Sequence, residues 1–304
     1  MSWPMVKLGD VCTINPRLPK NANPEQEVTF LAMAAVSEKG EISSQETRIL
    51  HETKKGFTYF ERGDVLLAKI TPCFENGKAT LTNNLNTQIG FGSTEFHVLR
   101  AFPDLILPEF IFYLVWNERF RIAAAKEMTG SAGQKRVSTD YLKEYKFYLP
   151  SIFEQEKIVA ALNKGYSIHR KRQQAIKLAD DFLRAKFLEM FGTPANNIHR
   201  FPTGKIRDLV DSVNYGTSAK ASIDSGEYPI LRMGNITYQG GWDFTDLKYL
   251  DLSVKEKDKF LVKEGDLLFN RTNSKELVGK TAVYEENRPM AFAGYLIRVR
   301  PNPI

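Results

Sequence analysis

The chain has 304 residues, 42% hydrophobic and 26% charged, which is the composition of a soluble globular protein with a core, and its length suggests about two domains. Its 42 Lys and Arg against 36 Asp and Glu leave a formal net charge of +6, which points to a polyanionic partner, nucleic acid ahead of a ribosomal or membrane surface. Its two cysteines, Cys12 and Cys73, lack CxxC or Cys/His spacing and so exclude a disulfide framework and a structural zinc site.

The opening Met1 to Lys7 has no apolar stretch behind a basic start, so no secretory signal is expected. The longest apolar run, Phe110 to Trp116, is far short of the roughly 20 residues of a membrane helix. A cytoplasmic protein without a membrane segment is expected.

Along the chain, short blocks recur with a period of roughly 200 residues, too long for a solenoid and right for a duplicated domain. Lys7-Leu8-Gly9-Asp10-Val11 returns as Lys205-Ile206-Arg207-Asp208-Leu209. Thr29-Phe30-Leu31-Ala32-Met33 returns as Pro229-Ile230-Leu231-Arg232-Met233. Arg62-Gly63-Asp64-Val65-Leu66-Leu67 is answered by Glu264-Gly265-Asp266-Leu267-Leu268-Phe269, in each case a Gly-Asp turn entering a buried strand. Gly77-Lys78-Ala79 and Gly279-Lys280-Thr281 follow, and Phe91 to Arg100 lines up with Phe292 to Arg300. Short strands with Gly, Asn and Pro between them fill most of each copy.

After the first copy's strands, Pro108 to Lys126 reads as a helix, with proline near its start and an apolar face through Ile111, Leu114 and Val115. A much longer helix is predicted from Phe153 to Phe191, where there is no proline and Gly165 is the only glycine. Glu154, Gln155 and Glu156 suit its first turn, and Gly192-Thr193-Pro194 is a stop signal. Apolar residues at Ile158, Leu162, Ile168, Ile176, Ala179, Leu183, Phe187 and Met190 form a seam. A rod of that length, roughly 50–55 Å at 1.5 Å per residue, cannot bury its own seam and needs a partner helix. Its basic middle, His169-Arg170-Lys171-Arg172, is either a solvated face or a contact with phosphates or a partner subunit. The second copy then stops at Ile304, about where the first continues to Pro150, so the second domain is expected to be incomplete.

This pattern resembles the specificity subunit of Type I restriction–modification systems. Three stretches carry the resemblance: the entry Lys7 to Val11, the strand motif Gly63-Asp64-Val65-Leu66, and an exit series. That series is Gly130-Ser131, Gln134-Lys135, Leu149-Pro150 and Glu154-Gln155-Glu156-Lys157-Ile158. The resemblance implies an α+β fold: a target recognition domain over 1–150, a coiled-coil-type spacer helix over 151–192, and an incomplete second recognition domain over 193–304. It also implies a non-catalytic subunit that selects a double-stranded DNA site. Separate subunits would methylate adenine with S-adenosylmethionine or cleave with an ATP-driven motor. The second exit motif and second helix are absent here, so the seam is expected to meet another copy as a homodimer.

Base-edge contact needs Arg, Lys, Asn, Gln, Ser or Thr in surface loops. The first copy offers Lys69 and Thr71 after the Gly-Asp strand, then Ser131, Gln134, Lys135 and Arg136 between Gly130 and Gly133. The second offers Arg232 and Asn235, then Arg271 and Asn273. Each loop is otherwise an ordinary soluble turn, and Arg271 and Asn273 would otherwise cap a neighbouring turn.

Two rivals stand beside this reading. Asp104 with Glu144 and Lys146 has the outline of a metal-dependent nuclease, and a coiled-coil scaffold would bind every duplex alike. Gly279-Lys280-Thr281 ends like a phosphate loop, but Ser274 stands where its first glycine belongs. His51, His97, His169 and His199 show no metal-ligand spacing, and His97 sits in a strand pattern. No cofactor or metal site is expected in this chain.

Overall fold

The computed structural model describes residues 3–131, 133–193, 195–272 and 275–302. The chain forms two compact units, Met1–Lys186 and Phe187–Ile304.

The first unit contains, in order, β1 (Met5–Lys7), β2 (Cys12–Ile14), β3 (Glu27–Leu31), β4 (Glu46–Ile49), α1 (Leu50–Thr53) and β5 (Thr58–Glu61). Then come β6 (Val65–Ala68), β7 (Ala79–Leu81), β8 (Ile89–Gly92), β9 (Phe96–Ala101), α2 (Pro108–Trp116), α3 (Glu118–Lys126), α4 (Thr139–Glu144), β10 (Lys146–Tyr148) and α5 (Ile152–Phe191). The second unit has β11 (Val210–Tyr215), β12 (Tyr228–Leu231), β13 (Lys248–Leu250), α6 (Val254–Phe260), β14 (Leu267–Asn270), β15 (Thr281–Val283), β16 (Ala291–Phe292) and β17 (Leu296–Pro301).

Two sheets recur in each unit in matching order, and the first unit has in addition a two-stranded sheet of β1 with β10. In the first unit one sheet runs β2-β9-β6-β7 and the other β4-β3-β8-β5. In the second the orders are β11-β17-β14-β15 and β13-β12-β16. The parallel pairing β3·β8 returns as β12·β16, whereas the remaining pairs are antiparallel. The repeated blocks explain themselves in this frame. Asp10 and Asp208 each accept a hydrogen bond from the backbone amide three residues earlier, at Lys7 (3.2 Å) and Lys205 (3.1 Å), which closes the entry turn. Lys78 and Lys280 each reach back to the carbonyl that ends the second block, at Met33 (3.3 Å) and Met233 (3.2 Å).

The Gly-Asp motif does more than turn the chain. Asp64 is buried and takes two parallel hydrogen bonds from Arg100, Nε and Nη2 both at 2.8 Å, while its own Oδ2 accepts from the Glu61 amide. Asp266 repeats this with Arg300 at 2.7 and 2.6 Å and with the Lys263 amide. Each clamp fastens the start of a central strand to the end of its neighbour, since Val65 pairs with Leu99 and Leu267 with Val299.

The helix predicted over 108–126 is two helices. Asn117 interrupts it, its side chain accepting from the Arg119 amide (2.8 Å) and capping α3. With α4 they cover one face of the β2-β9-β6-β7 sheet, burying Leu8, Val11, Val65, Leu67 and Leu99 with Ile111, Val115, Phe120 and Leu142. In the second unit the matching face is open. Leu8 and Val11 are 0% and 3% exposed, but their counterparts Ile206 and Leu209 are 76% and 69% exposed. Burying a side chain of this size is worth about 1.5–3 kcal/mol, so the open face forgoes several such contributions.

The clamp yields a stability prediction. Asp64→Asn leaves Arg100 without its buried partner and is expected to destabilise the first unit by about 3 kcal/mol. A urea titration would read this as a lower midpoint at unchanged slope, and an unchanged midpoint would contradict the assigned role.

Candidate nucleic-acid interface

In the first unit, the corner at the end of β6 gathers the candidate residues of two distant segments. Residues 129–131 and 133–137 fold back on it. The Val137 amide donates to the Lys69 carbonyl (2.9 Å), the Thr71 amide to the Lys135 carbonyl (3.0 Å), and Arg136 bridges Ile70 and Thr129. Gly130 adopts φ 130, and a Cβ there would lie 2.7 Å from the Gln134 carbonyl, so only glycine closes this loop.

The candidates divide by what they already hold. Arg136 forms a bidentate pair with Glu95 (3.0 and 2.9 Å), which raises the guanidinium pKa and holds the carboxyl below its usual range. It ties the loop to the sheet. Thr71 donates to Glu75 (2.8 Å), and Lys69 is half-buried beside Glu95 and His97. Ser131, Gln134 and Lys135 are exposed at the loop's tip.

Beneath this loop lies His97, which is buried. Its Nε2 lies 2.8 Å from the Val137 carbonyl, which only accepts, so Nε2 carries the proton and Nδ1 accepts from the Asn15 amide at 3.2 Å. Burial pushes its pKa below the usual histidine value, against the opposing pull of the Val137 hydrogen bond. The ring is a neutral strut joining β9 to the loop.

In the second unit, Arg232, Lys248 and Arg271 line one cleft of about 520 Å³ with Thr217, Ser218 and Tyr295. Gly216 lets this wall form, because a Cβ there would lie 2.1 Å from the Phe292 carbonyl. Arg271 is exposed and stacks 4.7 Å above the Tyr215 ring. Arg232 donates to Asp246 through both its carboxylate (2.8 Å) and its carbonyl (2.7 Å). Asn235 is buried with its amide committed: Oδ1 accepts from the Arg232 amide, and Nδ2 donates to the Asp243 and Asp246 carbonyls. It positions Arg232 instead of presenting its own amide to solvent. Asn273 lies outside the described residues.

Sequence reading missed Asn270, which is buried and whose Nδ2 donates to the Thr272 and Leu277 carbonyls (3.1 and 2.7 Å), shaping the loop that carries Arg271. It also missed Glu95 as the partner of Arg136; nothing local marked either. Of the nuclease outline, Glu144 pairs with Lys7 (2.7 Å) and Asp104 sits at φ 67 in the turn after β9. Among the described residues no three His, Cys, Asp or Glu lie close enough to hold a metal ion. Cys12 is buried, which pushes its thiol up to about 12 and leaves it protonated.

The helix α5 uses a stripe the seam did not include. Gln155 and Val159 are buried, with Gln155 bonded to the Leu107 amide and the Leu105 and Pro150 carbonyls. Asn163 accepts from Tyr113, Tyr166 donates to the Lys39 carbonyl, and Arg170 pairs with Glu41. These positions lie roughly a third of a turn from the seam at 3.6 residues per turn. Ile168, Ile176, Leu183, Phe187 and Met190 therefore remain exposed, together with Leu178, Phe182, Leu188 and Phe191.

Comparison with known proteins bears on this geometry. Residues 2–178 match the family model of the Type I restriction modification DNA specificity domain. The specificity subunit of the type I restriction enzyme EcoAI of Escherichia coli is 31% identical over 273 residues, covering 87% of this chain and 46% of that subunit. The EcoEI specificity subunit of Escherichia coli is 32% identical over 273 residues, 87% of this chain and 45% of its own. The chain thus spans about half the length of these curated relatives. A chain in a structure describing assembly and conformational transition of a type I restriction–modification system shares the fold at a TM-score of 0.56 and 21% identity, over 99% of this chain and 76% of that one.

The strut under the loop predicts a pH effect. Because the folded-state pKa of His97 is depressed, its contribution to stability is fully present above the unfolded value near 6.5 and declines as pH falls below it. Melting curves from pH 8 downward should show that decline in the wild type and a shallower one in His97→Gln. Equal slopes would remove the strut's assigned protonation state.

Proposed function

We propose that this chain, which belongs to the Type I restriction–modification DNA specificity family, selects the double-stranded DNA sequence on which partner subunits act. The observation that carries this reading is the repeat in three dimensions. Two units of one sheet order each place a cation, Lys69 or Arg271, directly after the matching central strand, at the rim of a loop rich in amide and hydroxyl side chains.

Recognition divides between contacts that set register and contacts that read bases. In the first unit Ser131, Gln134 and Lys135 are the exposed readers; Arg136, Thr71 and the neutral His97 hold their loop in place. In the second unit Arg271 is the reader, stiffened by Tyr215, with Arg232 and Asn235 supporting the cleft beside it. A guanidinium held in this way suits guanine, and the Gln134 amide suits adenine. The recognition domains correspond to 1–150 and 193–304, with 151–192 as the spacer helix. The chain itself performs no catalysis. Methylation and motor subunits supply the chemistry, and the cytoplasm is where they and the DNA meet.

The exposed seam of α5 favours a helix as its cover, because an uncovered run of Leu, Ile and Phe that long is an association surface. A second copy of this chain, meeting seam to seam, gives a homodimer. Sedimentation should show concentration-dependent dimers of the wild type and monomers of the Leu183→Glu/Phe187→Glu variant. Wild-type monomers at high concentration would exclude the dimer.

Selection from a randomised duplex pool tests recognition itself. The chain should enrich a defined motif, and Arg271→Ala should relax preference at one base pair by about 1–3 kcal/mol while leaving the rest of the motif intact. Equal recovery of every sequence by the wild type would leave only a phosphate-binding scaffold.

A further inference from the structure

The register of the repeat allows each residue of the second unit's cleft to be compared with its counterpart. Ile230 pairs with Lys248 as Phe30 pairs with Glu46. Asn270 pairs with Leu296 as Ala68 pairs with Phe96. Lys248 therefore stands where the first unit has Glu46, Arg271 where it has Lys69, Tyr295 where it has Glu95, and Arg232 where it has Ala32. At these four positions the first unit carries one cation and two carboxylates; the second carries three cations and no carboxylate. The first unit's two carboxylates are paired with Arg48 and Arg136 and the second unit's Arg232 with Asp246, so the difference that remains is Lys248 standing where Glu46 does.

A second cleft of about 640 Å³ adjoins this one, because Thr217, Ser218 and Ala219 line both. Lys259 lines it, with Tyr215 and Glu256. The Tyr215–Arg271 stack thus stands between the clefts, with Tyr215 in one and Arg271 in the other. Among the described residues neither Lys248 nor Lys259 makes a salt bridge, though Lys259 lies 5.1 Å above the Phe260 ring and is close enough to Glu256 to lower its pKa. The nearby carboxylates are already engaged: Asp246 with Arg232, and Glu256 with the amide and hydroxyl of Ser253.

Lys248 and Lys259 line the two open clefts that adjoin at the stacked arginine. Lysine is a compact point charge suited to gripping a phosphate. We infer that these paired clefts form a DNA-backbone site peculiar to the second unit, in which Lys248 and Lys259 each hold a phosphate on either side of Arg271. The inference rests on the chain being a DNA-binding protein and adds which surface supplies its salt-dependent grip. The first unit, with Glu46 at the matching position, does not share that surface.

The test is binding of the full chain to a labelled duplex by fluorescence anisotropy, between about 50 and 200 mM salt. Lys248→Glu installs the first unit's own residue, and Lys259→Gln removes the other charge. Each should lower the slope of log affinity against log salt by about one, and the pair by about two, because each phosphate contact contributes about 0.9. Lys248→Arg should keep the wild-type slope, Glu46→Lys should not lower it, and matching thermal midpoints would confirm that the variants fold. If the wild type binds and these variants keep its slope, the backbone site is wrong while the recognition function stands. If Lys248→Glu changes the preferred sequence at unchanged slope, the cleft reads bases and the phosphate assignment is wrong. A wild type that binds no duplex overturns the recognition function, and the cleft site with it.

Discussion

The bidentate clamp between a buried aspartate and the arginine of the last sheet strand is the interaction on which each recognition unit depends. Asp64 with Arg100, and Asp266 with Arg300, fix the central strand against its neighbour at one end. The residue at that strand's other end is Lys69 in one unit and Arg271 in the other. A one-residue slip would turn every side chain of the strand to the opposite face. The clamp therefore determines not only stability but where the cation emerges. A buried carboxylate is tolerated because two guanidinium hydrogen bonds and one backbone amide satisfy its oxygens.

Under the proposed function, the loops built on this frame separate holding from reading. Arg136, Asn235 and Asn270 are polar residues of base-reading type, yet their hydrogen bonds are spent on Glu95 and on backbone carbonyls. That expenditure makes Ser131, Gln134, Lys135 and Arg271 usable, since a reader must be held rigid to discriminate. On that proposal, variation at the tips alters the sequence chosen without disturbing the sheets. The two units also differ at the same corner, where Lys248 of the second stands at the position of Glu46 in the first.

Much of this was legible in the residues. The recurring Gly-Asp, Gly-Lys and Lys-x-x-Asp blocks marked a duplication, because each makes the same backbone-level contact in both copies. The long helix was legible from its proline-free run and its stop at Gly192. Its packing face was not: Gln155, Asn163 and Arg170 bury or bond a polar stripe, and hydrophobic periodicity cannot register contacts made by amides and guanidiniums. The break at Asn117 was hidden for a similar reason, since apolar spacing continues across a cap. Among site residues, composition found the right loops but not the commitments within them. Glu95 lies 41 residues from Arg136, and only the folded sheet reveals that pair.

Hydrogen–deuterium exchange of the full chain, free and bound to its selected duplex, tests the central claim most directly. The account predicts slower exchange on binding in two separate segments, residues 69–71 with 131–136 in the first unit and residues 269–272 in the second. Slowing confined to the exposed part of α5, with both loops unchanged, would contradict it.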